Sequence, residues 1–281
     1  MDVFFDGLSS RPRLDHAEGV AVHRDGSVWC GGENGQIYRI ADGVLEEVAS
    51  TGGFCLGVAF DSSDHLYVCD TIHAAVFRLD TTSGVLERFA DGADGRRIVG
   101  PNAIAVDSTD RLYVSDNGVP HQPGPGVYRF EASGDGHLWH EGPFDFANGL
   151  ALSSDQRTLY VAETWARRIT AITIGADGHA ESRRTIATLP GALPDGLALD
   201  TAGRLYVACY EPSRILRLGP TSGAPTVIAE DPDAHTLCHP TNIAFLGTDV
   251  IAANLGRWHL TRVPVGAEGL PLPPRPSPSD G

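Results

Sequence analysis

The chain contains no lysine; all 21 of its basic residues are arginine. Against 36 acidic residues they leave a formal charge of −15. That balance excludes a non-specific grip on nucleic acid or an anionic membrane surface, both of which need a positive field. Long hydrophobic runs are missing as well. No stretch approaches the roughly 18 apolar residues of a membrane span. The N-terminus, Met1-Asp2-Val3-Phe4-Phe5-Asp6, has neither the basic region nor the apolar run of a signal peptide. A cytoplasmic location with no membrane or nucleic-acid partner is expected. The five cysteines (30, 55, 69, 209, 238) show no Cys-x-x-Cys or Cys–His spacing. They read as small buried hydrophobes in a reducing compartment. A sustained 3.6-residue apolar period is also absent, so helices should be few.

What the chain does have is a repeat. Leu193-Pro-Asp-Gly-Leu-Ala-Leu199 delivers a carboxylate, a glycine and then a small apolar strand. Related segments begin at Glu18, Leu56, Asn102, Asn148, Asp195 and Thr241, at intervals of 38, 46, 46, 47 and 46 residues. A period in the forties built from strands marks a propeller, one blade per repeat. Each repeat continues through a tight turn such as Asp25-Gly26 or Ala202-Gly203. A refrain follows (Leu66-Tyr-Val68, Leu112-Tyr-Val114, Leu159-Tyr-Val161, Leu205-Tyr-Val207), then a third strand and a weaker outer one. The expected fold is all-β: a six-bladed β-propeller of four-stranded antiparallel blades around a central channel. Residues 1–265 form its single domain, and a first strand near Val3 completes the last blade. The Pro- and Ser-rich tail, 266–281, should be disordered or draped on the surface.

In a propeller the innermost strands line the channel, so their first residues gather at one mouth. Loops after each second strand share that face. Of the six leading residues, Glu18, Asn102, Asn148 and Asp195 carry only carboxylate and amide oxygens. Oxygen donors select a hard divalent cation, Ca²⁺ foremost, with Mg²⁺, Mn²⁺ or Zn²⁺ as alternatives. Turn preference accounts for Asn148-Gly149 and Asp195-Gly196 singly. It does not account for Glu18, a poor turn former, in the same register. The same mouth receives Arg97, His121, Trp165 and Trp258 as candidate substrate-binding residues. Phe54, Phe144 and Phe146 add aromatic walls for a small molecule. Asp116 and Glu163 end strands nearby, either as supports for the site or as solvated loop acids.

Glu18-Gly19, Pro101-Asn102, Ala147-Asn-Gly-Leu-Ala151 and Pro194-Asp-Gly-Leu197, in this order and spacing, resemble the senescence marker protein, gluconolactonase and luciferin-regenerating enzyme family over about residues 15–265. The resemblance implies one divalent metal at the axis, held by Glu18, Asn148 and Asp195. Asn102 would sit close to metal or substrate, and Asp195 would have the acid-base role in opening sugar lactones. One position departs from the pattern. Where animal sugar-lactone hydrolases carry an arginine two residues before the channel asparagine, this chain has Gly100. Arg96 or Arg97 is the candidate replacement, and the aromatic supply suits a less polar lactone or ester.

The resulting expectation is a metal-dependent hydrolase, monomeric or weakly self-associating, that opens a lactone or small ester of a small-molecule substrate. Lewis-acid activation of the carbonyl and attack by an acidified water would carry the reaction. Two alternatives stand beside it. One is a non-hydrolytic enzyme of secondary metabolism on the same scaffold, with a strictosidine-synthase-like condensation or cyclisation, since Gly35-Gln-Ile-Tyr-Arg39 resembles that group too. The other is a non-catalytic propeller that presents a binding face.

Overall fold

The computed structural model describes residues 1–119, 122, 124–220 and 224–275. Its elements are strands and turns; among the described residues no helix is long and apolar enough to cross a membrane. Six four-stranded antiparallel sheets form, five of them built in chain order from the axis outward. Their innermost strands are Val20–Val22, Cys55–Phe60, Pro101–Val106, Ala147–Leu152, Pro194–Leu199 and Pro240–Leu246. Each touches the next, and the sixth touches the first, so the blades close a ring. The last blade takes its outer strand from the other end of the chain: Asp2–Asp6 pairs with His259–Pro264.

Alternation along the innermost strands makes this packing possible. Val20, Val58, Ile104, Leu150, Leu197 and Ile243 face the preceding blade. Ala21, Ala59, Ala105, Ala151, Ala198 and Ala244 face the following one. Each interblade core therefore sets an alanine of one blade against larger residues of the next. Ala21 meets Val58 and Phe60, Ala151 meets Leu197 and Leu199, and Val20 closes the ring against Ala244. Small against large lets twisted sheets approach near the axis without voids.

The inner strands enclose a channel whose lower part is a cavity of about 920 Å³. Residues 268–274 cross its far end. They are tied to blade 5 through Leu270 N–H to the Leu199 carbonyl (3.0 Å) and reach blade 2 through Arg275 on Asp64 (2.7 Å). One element departs from the repeat. A short hairpin, Gly92–Ala93 with Arg96–Arg97, is inserted before the inner strand of blade 3. Its turn is Asp94-Gly95, both with positive φ, as a two-residue hairpin loop requires.

Candidate active site

The site is made by a defect that the repeat carries in blade after blade. In blade 5 Pro194 opposes Cys209 and Leu197 opposes Val207, so two residues, Asp195 and Gly196, stand against one. The same shift separates Cys55 from Val58, Pro101 from Ile104, Ala147 from Leu150 and Pro240 from Ile243. A bulge of this kind re-aims one side chain out of the ladder. The re-aimed residues are Leu56, Asn102, Asn148, Asp195 and Thr241, and Glu18 occupies the same register in blade 1.

The second bulge residue is glycine where the next blade's backbone comes closest. At Gly149 a Cβ would overlap the Asp195 carbonyl and stand 2.7 Å from Gly196 Cα. At Gly196 it would stand 2.6 Å from the Thr241 carbonyl. Hydroxyls lock the bulges together across blades. Ser115 Oγ accepts from Ala103 N–H and donates to the Asn148 carbonyl (2.8 Å). Thr164 Oγ1 accepts from Asn148 Nδ2 (3.1 Å) and donates to the Pro194 carbonyl (2.8 Å). Thr241 Oγ1 donates to the Glu18 carbonyl (2.7 Å).

Glu18, Asn102, Asn148 and Asp195 are all buried. Among the described residues Asn102 Oδ1, Asn148 Oδ1 and Asp195 Oδ1 have no hydrogen-bond partner. Three orphaned acceptors in one register are a costly arrangement unless something positive sits between them. The two acids bear this out. Burial, and then the charge on Asp195, push Glu18 well above the usual carboxylate range, against a hydrogen bond from Asn242 Nδ2 (3.1 Å). Burial lifts Asp195 to about 7 despite its bond to Asn148. An all-oxygen donor set with two acids that resist ionising side by side fits a hard divalent cation.

Asp116 and Glu163 turn out to be buried, and neither is a solvated loop acid. The Asp116 carboxylate takes the N–H groups of Val99, Gly100 and Gly118 (2.8–2.9 Å), which clamps the loop entering the Asn102 strand. Burial still raises its pKa. Glu163 holds Asp145 N–H, Thr170 Oγ1, Arg168 and Arg183. Burial would lift its pKa, but the bond from Arg168 and its other partners keep it low. Both acids position loops that lead into the strands of Asn102 and Asn148.

The outer candidates divide. Trp258 packs against the His16 ring (centroids 4.5 Å) and under the Arg13 guanidinium (4.4 Å). Trp165 leans on Phe146 (5.3 Å) and is partly exposed. Arg97 lies on the inserted hairpin, 72% exposed, with its guanidinium on Asp91 (3.1 Å); Arg96 bonds Glu141 (3.2 Å). His121 falls outside the described residues. Phe144 is not a wall of the opening. It is fully buried in the core between blades 3 and 4, beneath Arg183 (4.2 Å).

Sequence reasoning passed over Asn242, Thr164 and Ser115, which act on ligands of neighbouring blades. The mouth of blade 1 also carries a cluster, Asp15, His16 and Glu33, whose donor atoms lie within 4.8 Å of one another. That cluster is internally satisfied: His16 Nδ1 bonds Glu33 (3.0 Å) and Asn34 Nδ2 bonds Asp15 (2.8 Å).

Residues 16–252 match the model of the SMP-30/Gluconolactonase/LRE-like region. The protein strictosidine synthase-like 6 of Arabidopsis thaliana is 28% identical over 218 residues, 69% of this chain and 56% of that protein. The chain thus spans about half the length of this curated relative. A gluconolactonase from Xanthomonas campestris superposes with a TM-score of 0.78 at 22% identity, covering 94% of this chain and 88% of that one. Regucalcin from Agrobacterium tumefaciens, a calcium-binding protein, does so at 0.75 and 17% identity, covering 97% of each chain. At such identities these superpositions speak for the fold.

Proposed function

Because the chain belongs to the SMP-30/gluconolactonase/LRE-like family, we propose that it is a metal-dependent hydrolase that opens a lactone or small ester. The observation that carries this reading is the ring of buried, unpartnered oxygens on Asn102, Asn148 and Asp195, completed by Glu18. Glu18, Asn148 and Asp195 would hold one divalent cation, with Asn102 beside it. Calcium is the first choice, on the all-oxygen donor set and the calcium-binding neighbour. Such an ion supplies Lewis-acid polarisation of the carbonyl and stabilises the charge that develops on its oxygen.

The chain's own groups do the rest. Asp195, as the carboxylate beside the attacking water, would take a proton from it and return it to the departing alkoxide. Water adds to the carbonyl carbon, the ring C–O bond breaks, and a hydroxy acid leaves. Asn102 orients substrate or water beside the cation. Phe146 and Trp165 on one side and Trp258 on the other seat the apolar part of the substrate and exclude solvent.

The test is elemental analysis of the purified protein, followed by a panel of lactones and esters with the metal removed and restored. Chelation and Asp195→Ala should each abolish turnover while the fold survives. Full activity in excess chelator would refute the proposal. The match to a strictosidine synthase-like protein over 69% of the chain favours a second reading, a non-hydrolytic reaction on the same metal site. Bound metal with no lactone or ester turned over would select it.

A further inference from the structure

We propose that Asn117 is a substrate-contacting residue that sets the selectivity of this site. It would use a neutral amide, placed beside Asn102, to favour lactones with few hydroxyl groups over polyhydroxylated ones. The inference rests on the lactonase reading above.

Gly100 precedes Asn102 by two residues and lies at the entry to its strand, Pro101–Val106. A side chain at 100 would stand at that entry. That volume is already filled. A Cβ at 100 would overlap Asn117 Oδ1 and stand 3.0 Å from the Gly118 carbonyl. Asn117 is only 7% exposed. Its amide has no hydrogen-bond partner among the described residues, although its backbone N–H bonds the Gly100 carbonyl (2.9 Å). The amide is also held in place. Asp116, next to it in the chain, grips Val99, Gly100 and Gly118 by their N–H groups, so the loop and the turn that frame Asn117 are pinned to one buried carboxylate.

A nearly buried amide without a hydrogen-bond partner among the described residues, fixed beside the loop that enters the Asn102 strand, is built to meet a polar group from outside the chain. The charge of its surroundings says which kind. Arg97 is engaged with Asp91 and Arg96 with Glu141. Glu163 is spent on Arg168 and Arg183. Neither guanidinium of the loop before Asn102 is left to pair with an array of sugar hydroxyls. Apolar side chains stand exposed on the neighbouring rim at Ile72, Val99 and Trp165. One amide amid apolar neighbours satisfies a ring oxygen or a single hydroxyl, not four.

The test uses the full-length, metal-loaded protein with δ-valerolactone, γ-nonalactone and D-glucono-δ-lactone as probes, following acid release. The wild type should favour the two alkyl lactones. Asn117→Ala should raise their KM about tenfold and narrow the preference, with metal stoichiometry and Tm unchanged. Gly100→Ala, which displaces the amide without removing it, should act in the same direction. The double variant should be no worse than Asn117→Ala alone, since both changes remove one contact. Titration calorimetry with the product hydroxy acid should show the same loss without turnover. If Asn117→Ala leaves KM and the lactone ratio untouched in an active enzyme, the inference falls and the lactonase reading stands. If the wild type turns over none of the three lactones, the inference falls, and the wider panel of lactones and esters decides the hydrolase reading.

Discussion

Glu18 and Asp195 are the residues at which the chain works against its own stability. Burial raises both carboxyl groups, and the charge on Asp195 raises Glu18 further. Between about pH 4 and pH 7 the native, metal-free protein therefore holds protons that the unfolded chain has released. Where the native state binds more protons, stability falls as pH rises. The pair's contribution is thus most favourable in acid and is lost toward neutrality. Other acids, such as Glu163, are held low and act in the opposite sense, so the informative quantity is the difference between two proteins. Asp195→Asn should stabilise the metal-free chain by about 2 kcal/mol at pH 7.5 and by little at pH 4. It should also erase the stabilisation that added metal gives the wild type. Denaturant melts with and without chelator at the two pH values measure this, and parallel pH dependence in both proteins would count against the site. When a cation does bind the wild type, it displaces the shared proton. Calorimetry at pH 6 in buffers of different ionisation enthalpy should then register proton release.

At the scale of the strand, the bulge is the working part. In blades 4 and 5 it needs glycine at its second position for lack of room, not for backbone freedom. The Gly149 site is closed by the Asp195 carbonyl and Gly196 Cα, neither of which can swing aside. Gly149→Ala should cost about 1–3 kcal/mol through overpacking and weaken metal binding, because it pushes on the backbone that aims Asp195. Gly219→Ala, with nothing within 4 Å, should be close to neutral in the same melts and titrations. The division between what could and could not be read from sequence falls along this line. The blades and their register were legible because alternation and turn residues are local and recur, and the same recurrence puts Glu18, Asn102, Asn148 and Asp195 at one position of the repeat. The bulge that aims those side chains looks in sequence like any Asp-Gly or Asn-Gly. Thr164, Ser115 and Asn242 were hidden because each acts on a segment far along the chain. Phe144 was misplaced for a related reason: its position is set by packing between two blades under Arg183. The exposed ion pair of Arg97 with Asp91 likewise depends on a hairpin inserted outside the repeat.

For the molecule as a whole, the two ends of the chain close two different things. The N-terminal strand closes the ring, since Asp2–Asp6 is the fourth strand of the blade that the C-terminal repeat leaves with three. Phe4 and Phe5 pack on the core shared by blades 6 and 1. Removing residues 1–7 strips the edge of the last blade and the apolar cover of that core. It should lower Tm markedly and broaden the melt as the blades uncouple. The segment 268–275 instead closes the channel. It crosses from blade 5 to blade 2, opposite positions in a ring of six, and Leu270 and Leu272 pack at its two ends. It adds to the stability of blades already complete, so truncation after Gly266 should cost only about 1–2 kcal/mol, the scale of two partly buried leucines. Its larger effect should be on access. With residues 268–274 in place, the cavity of about 920 Å³ is covered at the end away from the carboxylates. Without them a held ion can leave, and a chelator or water can enter, from both mouths. Stopped-flow release of metal to excess chelator should therefore quicken on truncation while equilibrium affinity, which the proposed ligands Glu18, Asn148 and Asp195 set at the opposite mouth, stays the same. Unchanged release would mean that the segment covers the cavity without sealing it.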